Sequence, residues 1–255
     1  MSLTYSQAEL KELRKCADPV TGPLYFLTHH FYIQHPVHGA QLYDPFPAQL
    51  ELIDNYHIHR LNINLMSRQM GKTVTAAGYL MWYAIFKPDQ TIVAIANKLL
   101  GSFEILDRIK FAYDALPDYM RPKMTQRTKG ALTFDNGSRI LGRAMNECAI
   151  RGMAISLLYL DEFAFVQHDV AAQFWHSAMP SISTGGRVII TSTFNTAENM
   201  FSELWDNSVY TDNGFTAFKA TWKDHPDRDA KWAANELKML GQRQFDLEHN
   251  CTFEA

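Results

Sequence analysis

The pattern of apolar and polar positions predicts that strands and helices alternate along this chain. Short apolar runs have the length and composition of buried parallel strands, and longer mixed runs have helical composition. The strand-like runs fall at 61–65, 91–96, 156–160, 188–191 and 215–221, and the helix-like runs at 6–16, 73–86, 99–116, 169–178, 197–205 and 227–240. Asn136-Gly137 separates two further strand-like runs and indicates a hairpin, because both residues tolerate positive φ. This order predicts an α/β fold with a mostly parallel central sheet and helices on both faces.

Changes in composition along the chain predict three parts. Residues 1–50 are expected to form an N-terminal appendage packed on the core, and its segment 18–47 is rich in proline, glycine, histidine and aromatic residues. Residues 51–212 carry the alternating strands and helices of the core. Residues 213–255 carry one strand-like run and then a charged helical stretch, which predicts a small helical lid and an exit towards a further domain.

Composition narrows the class of protein only slightly. A chain of 255 residues with 47% hydrophobic and 20% charged residues can bury the core of an ordinary globular protein. The net charge of -3 gives no global attraction to nucleic acid, so any DNA contact needs a local basic patch. Cys16, Cys148 and Cys251 are odd in number and widely spaced, which predicts reduced thiols. No apolar run is long enough to span a bilayer, so neither export nor membrane insertion is expected.

The stretch MSRQMGKT, from Met66 to Thr73, ends like a phosphate-binding loop. The usual pattern is G-x-x-x-x-G-K-S/T, in which backbone amides and a helix N-terminus surround phosphate oxygens and the lysine neutralises phosphate charge. Met66 stands where this pattern has its first glycine, directly after a strand, where no unusual φ is needed. Taken alone, Gly-Lys-Thr also fits a solvated surface lysine. The residues predicted to bind nucleotide here are Ser67, Arg68, Gln69, Met70, Gly71, Lys72 and Thr73.

An apolar strand at 157–160 ends in two adjacent carboxylates, Asp161 and Glu162. Asp161 can hold Mg²⁺ together with the hydroxyl of Thr73, and Glu162 can orient and deprotonate a water molecule. Adjacent side chains at a strand end diverge, so the two carboxylates can take these different roles. The alternative is an exposed acidic turn after a core strand. Together with the loop, and in this order, the acidic strand favours a P-loop NTPase.

Hydroxyl-bearing residues end the following strand. Thr191, Ser192 and Thr193 come directly after an apolar run at the expected carboxyl edge of the sheet. In that position they are candidates for sensing the γ-phosphate or the hydrolytic water. Serine and threonine are also common at strand ends that have no such role.

Two arginines are candidates for stabilising the charge of a transferring phosphoryl group. Arg68 lies inside the loop, where its guanidinium can brace the γ-phosphate or pair with an acidic neighbour. Arg151 is followed by Gly152 just before the acidic strand, and it can act from a neighbouring subunit. For each of them the alternative is a surface arginine in a structural ion pair.

Gln49 is a candidate for recognising the adenine base. Its amide has both donors and acceptors, and Phe46 or Tyr43 can stack on the ring. The alternative is a solvated glutamine at a helix start. The histidines lack partner cysteines and a helical metal spacing, so they are interpreted as structural or surface residues: His29, His30, His35 and His38.

Taken together, these motifs resemble the ATPase domain of the large terminase subunit of tailed bacteriophages, the DNA-packaging motor. The loop at 67–73 lacks the first glycine, as large terminases of this type do. Residues 46–49 are similar to the family's adenine motif, 157–162 to its Walker B strand with catalytic glutamate, 191–193 to its coupling motif, and 151–152 to its Arg-Gly upstream of Walker B.

The resemblance implies a fold, a reaction and a set of partners. The fold is an additional-strand, RecA-like P-loop NTPase with a small lid. ATP and Mg²⁺ are the implied cofactors, and ATP hydrolysis fuels translocation of double-stranded DNA into a procapsid. The implied partners are the portal protein, the small terminase subunit and further copies of the chain in a ring. The implied location is the host cytoplasm.

Large terminases normally continue into a nuclease domain, and this sequence stops at Ala255 before one. We therefore expect ATP hydrolysis and no endonuclease activity from this chain, whether it is an excised domain or a naturally short protein. A helicase-like DNA translocase is the alternative within the same class, although no second motor domain is present. A nucleotide-binding scaffold or switch without turnover is the alternative from another class, and Glu162 argues against it.

Overall fold

Helices and strands alternate along the chain, of which the computed structural model describes residues 5–196 and 198–252. The α-helices in this part are α1 (Gln7–Cys16), α2 (Gly22–His29), α3 (Pro47–Ile58), α4 (Lys72–Phe86), α5 (Leu99–Ala115), α6 (His168–Ser183), α7 (Met200–Tyr210), α8 (Ala230–Leu240) and α9 (Gln242–Phe245). The strands are β1 (Tyr32–His35), β2 (Gly39–Leu42), β3 (Leu61–Met66), β4 (Thr91–Ala96), β5 (Met124–Arg127), β6 (Ala131–Phe134), β7 (Arg139–Ala144), β8 (Leu157–Asp161), β9 (Arg187–Ser192) and β10 (Thr216–Ala220). Residue 197, where one helix was predicted to begin, and the outermost residues of both end parts lie outside the described residues.

An eight-stranded sheet forms the centre of the described structure, in the order β10-β3-β9-β8-β4-β7-β6-β5. The first six of these strands are mutually parallel, and β6 and β5 continue the sheet as an antiparallel extension of β7. This arrangement confirms the predicted mostly parallel sheet. β9 lies between β3, which leads into the loop, and β8, which carries the two carboxylates. That inserted strand is the additional strand of the predicted class.

Helices cover both faces of the sheet, and the strands divide their side chains between two cores. Leu157 and Tyr159 of β8 belong to the core that includes α3, α4 and α5. Leu158 and Leu160 belong to the core beneath α6 and α7. Successive strand residues point to opposite faces, so a strand buried on both sides reads as a continuous apolar run. This is why the sequence pattern located β4, β8 and β9 correctly.

The N-terminal residues pack on α4 and include a hairpin that the sequence pattern did not predict. Ser6 and Glu9 form a reciprocal capping box at the start of α1. The indole Nε1 of Trp82 donates to the Cys16 carbonyl oxygen at 2.8 Å, which fixes the end of α1 to α4. β1 and β2 pair antiparallel within the segment 18–47, whose proline, glycine and histidine content hides the strand alternation.

The histidines of this region make local contacts. The ring of His29 stacks on Tyr25 with centroids 4.0 Å apart, and His35 stacks on His38 at 4.7 Å. His30 Nε2 lies 3.0 Å from a Glu12 carboxylate oxygen. These contacts agree with the interpretation as structural and surface residues.

The strand at the start of the predicted lid belongs to the central sheet. β10 pairs parallel with β3, from Thr216 opposite Asn62 to Ala220 opposite Met66. The sheet therefore includes residues that follow residue 212, where the predicted lid begins. The strand-like run at 215–221 forms β10, which pairs with β3 at the edge of the sheet. The helical segment follows it at 222–252 and includes α8 and α9. Among the described residues, no helix has the length and apolar character needed to cross a membrane.

Candidate nucleotide-binding site

The predicted site residues meet at one edge of the sheet. β3, β8 and β9 are parallel neighbours, so their carboxyl ends lie side by side. The loop 67–71 leaves β3 at this edge and leads directly into α4. Open parallel sheets bind ligands at the carboxyl ends of their strands, and helix N-termini attract anions.

The second half of the loop presents unpaired backbone amides. Gly71 has φ 74°, and a Cβ added there would lie 2.3 Å from Nε2 of Gln49, so this position requires glycine. Gln69 also has a positive φ of 59°, which is uncommon for a residue other than glycine. Within the described residues, the amides of 69–73 have no hydrogen-bond acceptor. Unpaired amides that converge at a helix N-terminus are what a phosphate group requires.

The first half of the loop is bound to the C-terminal region instead. The amide of Ser67 donates to the Ala220 carbonyl oxygen at 2.9 Å, and the amide of Arg68 donates to the Glu248 carbonyl oxygen at 2.8 Å. The Arg68 guanidinium also pairs with the Glu248 carboxylate at 2.8 Å, and 63% of this side chain is exposed. Of the two predicted roles for Arg68, the structure displays the pairing with an acidic neighbour. Phosphate contacts remain a prediction for 69–73, whereas Ser67 and Arg68 have other partners for their amides.

Thr73 and Asp161 supply the oxygen ligands that Mg²⁺ prefers. The Thr73 hydroxyl lies 3.2 and 3.3 Å from the two carboxylate oxygens of Asp161. Tyr159 donates its hydroxyl to Asp161 Oδ1 at 2.7 Å, and Thr191 donates to the same oxygen at 3.2 Å. A hydroxyl beside a carboxylate that is held in one orientation fits a magnesium ion.

Burial raises the pKa of Asp161, and the neighbouring charge of Glu162 raises it further. Hydrogen bonds from Tyr159 and Thr191 and the charge of Lys72 act in the opposite direction. The carboxylate therefore lies in an apolar setting that penalises an isolated negative charge. A nearby cation would relieve this penalty, which agrees with a metal-binding role.

Glu162 lies beside Lys72 in the structure. Lys72 Nζ is 2.8 Å from Glu162 Oε1, and the lysine side chain is 7% exposed whereas that of Glu162 is 38% exposed. Glu162 adopts a left-handed backbone conformation, φ 50° and ψ 46°. Strained backbone of this kind is frequent at functional sites. The hydroxyl of Ser192 and the amide of Thr193 both lie 3.4 Å from Glu162 Oε2, at the limit of hydrogen bonding.

All three predicted coupling residues are buried, and each contacts the carboxylate of Asp161 or of Glu162. Thr191 contacts Asp161, and Ser192 and Thr193 contact Glu162. A cavity of about 380 Å³ opens beside them and is lined in part by Arg68, Asp161, Glu162, Thr193 and Lys98. Lys98 was not predicted, because a lysine before a helix has no distinguishing pattern. Its position after β4 adds a positive charge to this cavity.

Gln49 is buried and connects the N-terminal region to the loop. Its Nε2 donates to the Met70 carbonyl oxygen at 3.1 Å, and its Oε1 accepts from the Phe46 amide at 3.2 Å. A cavity of about 400 Å³ lies next to it, and its lining includes Phe46 and His225, whose ring centroids are 4.8 Å apart. The amide retains one N–H and further lone pairs for a ligand.

Tyr43 lines the same cavity, but most of its side chain is buried. Its hydroxyl is 2.6 Å from the Thr75 hydroxyl, and its ring packs edge-to-face on Phe31. The side chain is 4% exposed. Of the two aromatic residues predicted for this role, only Phe46 lies with its ring partly exposed, because the turn after β2 directs Tyr43 into the core.

Arg151 is exposed and is absent from the residues that line the 380 Å³ cavity. Across the described residues, no side chain pairs with its guanidinium. Its amide donates to the Cys148 carbonyl oxygen in a turn before β8. The structure therefore does not bring Arg151 into the site of its own chain.

Two residues that contact the site were missed by the sequence reasoning. Tyr159 lies within the apolar strand and was counted as core, although its hydroxyl reaches Asp161. Tyr159 and Asp161 are two positions apart, so they share one face of β8, and a polar atom on that face was the available signal. Arg228 lies more than 150 residues after the loop that it contacts, and no local pattern marks it.

The inserted strand β9, the loop before α4 and the acidic end of β8 define a P-loop NTPase of the additional-strand, RecA-like class. Residues 63–253 match the family described as terminase large subunit, T4likevirus-type, N-terminal, and the chain belongs to this family. The resemblance that the motifs indicated is confirmed.

Solved structures of phage terminases share the fold. The ATPase domain of the Thermus phage P74-26 large terminase matches with a TM-score of 0.66 and 19% identity, over 83% of this chain and 95% of that one. The bacteriophage HK97 large terminase matches with a TM-score of 0.65 and 16% identity, over 91% of this chain and 48% of that one. A large terminase from a thermophilic bacteriophage in complex with ADP matches with a TM-score of 0.66 and 13% identity, over 81% and 53%. This chain thus spans about half the length of the latter two proteins.

Proposed function

We propose that this chain is the ATPase motor domain of a viral DNA-packaging terminase, which hydrolyses ATP with Mg²⁺ to drive double-stranded DNA into a procapsid. The observation that carries the proposal is the set of unpaired amides at 69–73, placed at the start of α4 beside Lys72 and the Thr73–Asp161 pair. Membership of the terminase family and the ADP complex of a protein with the same fold support it.

Each side chain has a separate role in this proposal. The amides of 69–73 and Lys72 bind the phosphates, and Gln49 and Phe46 contact the base. Thr73 and Asp161 hold Mg²⁺, which neutralises phosphate charge when bound. Glu162 orients and deprotonates the attacking water, and Thr191, Ser192 and Thr193 couple the state of both carboxylates to movement of the helical segment 222–252.

The ion pair between Lys72 and Glu162 is the contact in this site that a bound nucleotide changes. A γ-phosphate offers Lys72 a second anionic partner, and sharing the ammonium group between the two anions weakens its bond to Glu162. Glu162 is then released as a proton acceptor for water. The arrangement keeps the base occupied until the substrate arrives.

The proposed partners follow from the family and from the charge of the chain. A net charge of -3 makes binding to free DNA weak, so a ring of chains assembled on the portal is needed to gather enough phosphate contacts. Binding of the small terminase subunit and action in the host cytoplasm are part of the same proposal. A helicase-like translocase or a scaffold without turnover would share the fold.

A packaging assay tests the motor proposal. The natural protein, combined with portal-bearing procapsids, double-stranded DNA and MgATP, is expected to render DNA resistant to added nuclease. A non-hydrolysable ATP analogue is expected to give no protection, because translocation needs turnover. Phosphate release without protected DNA would favour a translocase of another kind, and nucleotide binding without phosphate release would favour the scaffold.

Tyr159→Phe is expected to weaken the use of Mg²⁺ without unfolding the protein. The change removes the 2.7 Å hydrogen bond to Asp161 but keeps the ring that fills the core. Loss of a group that orients a metal ligand typically lowers metal affinity about tenfold. A magnesium titration of ATP hydrolysis measures the shift. Tyr79→Phe is the control, since Tyr79 is equally buried and its hydroxyl contacts His57 instead; equal magnesium dependence in both variants would remove Tyr159 from the site.

A further inference from the structure

A single arginine of the C-terminal helical segment, Arg228, contacts the phosphate loop from Ser67 to Met70. The guanidinium of Arg228 donates to the carbonyl oxygens of Arg68 and Gln69 at 3.0 and 3.2 Å. It also donates to the Ser67 hydroxyl at 3.2 Å and lies 3.8 Å from the Met70 sulfur. One side chain thus contacts every residue between β3 and Gly71.

Arg228 is itself held in place. Its guanidinium lies over the Trp232 ring at 4.6 Å, a cation–π contact. The next residue, Asp229, caps α8 by accepting from the Trp232 amide at 2.7 Å. The arginine is therefore attached to the start of α8, and its planar fork of five N–H groups suits several acceptors at once.

The contacts of Arg228 determine where the loop amides point. In a planar trans peptide, each N–H points opposite to the carbonyl of the preceding residue. Bonds from Arg228 to the carbonyls of Arg68 and Gln69 therefore direct the amides of Gln69 and Met70 to the other side of the loop. The bond from Gln49 to the Met70 carbonyl does the same for the Gly71 amide. These amides belong to the set that is unpaired in the described chain.

The loop differs from the usual phosphate loop in two ways, and the contacts of Arg228 bear on one of them, the backbone of Gln69. Gln69 has a positive φ of 59°, a conformation that costs free energy in a residue other than glycine. Neighbouring structure must supply that free energy, and Arg228 bonds to the carbonyl of Gln69 itself. The loop has Met66 where the usual pattern has a glycine.

We propose that Arg228 is a positioning residue that holds the phosphate loop in its binding conformation, so that nucleotide affinity depends on the docking of the segment 222–252. The inference rests on the proposed nucleotide-binding function of the loop. Coupling of this kind is reciprocal, so nucleotide binding in turn stabilises the docked segment. The arginine acts through the loop and has no role in the chemical step.

The primary test is MgADP binding by calorimetry to the full chain carrying Arg228→Ala or Arg228→Lys. Arg228→Ala is expected to weaken binding about tenfold, since the bonds from a charged donor to the carbonyls of Arg68 and Gln69 are lost. Arg228→Lys is expected to recover little, because a single ammonium group cannot reach carbonyls that the guanidinium fork bridges. Arg243→Ala is the matched control: it removes the same charge from an exposed arginine on α9 and is expected to leave affinity unchanged.

Two further measurements separate positioning from general stability. Free guanidinium, well below denaturing concentration, is expected to restore part of the MgADP affinity of Arg228→Ala and none in the control. Hydrogen exchange of the amides at 69–73, measured without nucleotide, is expected to change in Arg228→Ala while exchange in β4 and β8 does not. If Arg228→Ala melts globally, Arg228→Lys carries the same comparison.

The outcomes distinguish the inference from the proposed function. A wild-type chain that does not bind MgADP contradicts the proposed function, and the exchange of the loop amides still decides the role of Arg228. A wild-type chain that binds MgADP, together with an Arg228→Ala variant of equal affinity and equal loop exchange, overturns the inference alone. Equal losses in Arg228→Ala and Arg243→Ala would assign the effect to surface charge and also overturn it.

Discussion

Glu162→Gln is expected to lower kcat for ATP hydrolysis by about 10³-fold, the typical contribution of a general base. Glutamine keeps the size of the side chain and one of its two acceptor oxygens, but it cannot accept the proton of the attacking water. Glu162 lies at the carboxyl end of β8, beside the cavity of about 380 Å³ and within hydrogen-bond range of Ser192 and Thr193. Among the described residues that line this cavity, the carboxylates are Asp161 and Glu162.

Nucleotide affinity is expected to stay equal or to rise by a few-fold in this variant. The wild-type glutamate competes with phosphate for Lys72, at 2.8 Å, and a neutral amide competes less strongly. Single-turnover hydrolysis and MgATP binding by calorimetry measure the two quantities separately. Glu203→Gln on α7 is the control, because that carboxylate is exposed and is not among the residues that line the cavity. Unchanged turnover in Glu162→Gln would assign the base elsewhere.

Arg151→Ala is expected to reduce hydrolysis by about 10³-fold when chains are associated, the size of effect that an arginine acting on the transition state produces. Arg151 is exposed and lies outside the cavity of its own chain. We therefore propose that Arg151 acts on a γ-phosphate bound by a neighbouring subunit. Specific activity of the wild-type chain is therefore expected to rise with protein concentration.

Mixing two inactive variants tests the subunit boundary directly. In a ring with head-to-tail contacts, equal amounts of Arg151→Ala and Glu162→Gln chains place an intact arginine beside an intact glutamate at roughly a quarter of the interfaces. About that fraction of wild-type activity is expected to return on mixing. Arg243→Ala mixed with Glu162→Gln serves as the reference for an arginine change outside the interface. No recovery at concentrations where the chains associate would confine Arg151 to a structural role.

The sequence located the central elements well because their burial is local information. Strands covered on both faces consist of nearly unbroken apolar residues, which is why β4, β8 and β9 were found with nearly correct ends. Asn136-Gly137 marked the antiparallel pair β6–β7 because few residues tolerate that turn. The hairpin β1–β2 escaped prediction, since its residues are mostly half-buried or exposed and carry no apolar run.

The site was predicted where chemistry requires particular residues at short spacing. Gly71, Lys72 and Thr73 are adjacent in sequence, as are Asp161 and Glu162, and a parallel sheet brings the two groups to one edge. The sequence does not show which distant segments of the chain contact each other. The burial of the Tyr43 side chain depends on Phe31 and Thr75, which sequence spacing alone does not place beside it.

The sequence by itself determined the order of the parallel core strands and the helices between them, the identity of the loop and the acidic strand, and the family. These properties depend on residue type and on neighbours a few positions away, and both can be read directly from the sequence. Only the tertiary structure decided that β10 closes the sheet beside β3, that Tyr159 orients Asp161, and that Arg228 fastens the loop. The strand pairing and the arginine contacts join residues far apart in sequence, whereas the Tyr159–Asp161 bond joins two residues on one face of β8 and depends on the strand conformation. The sequence shows that MSRQMGKT lacks the first glycine of the usual pattern, whereas only the folded structure shows that Arg228 contacts this loop.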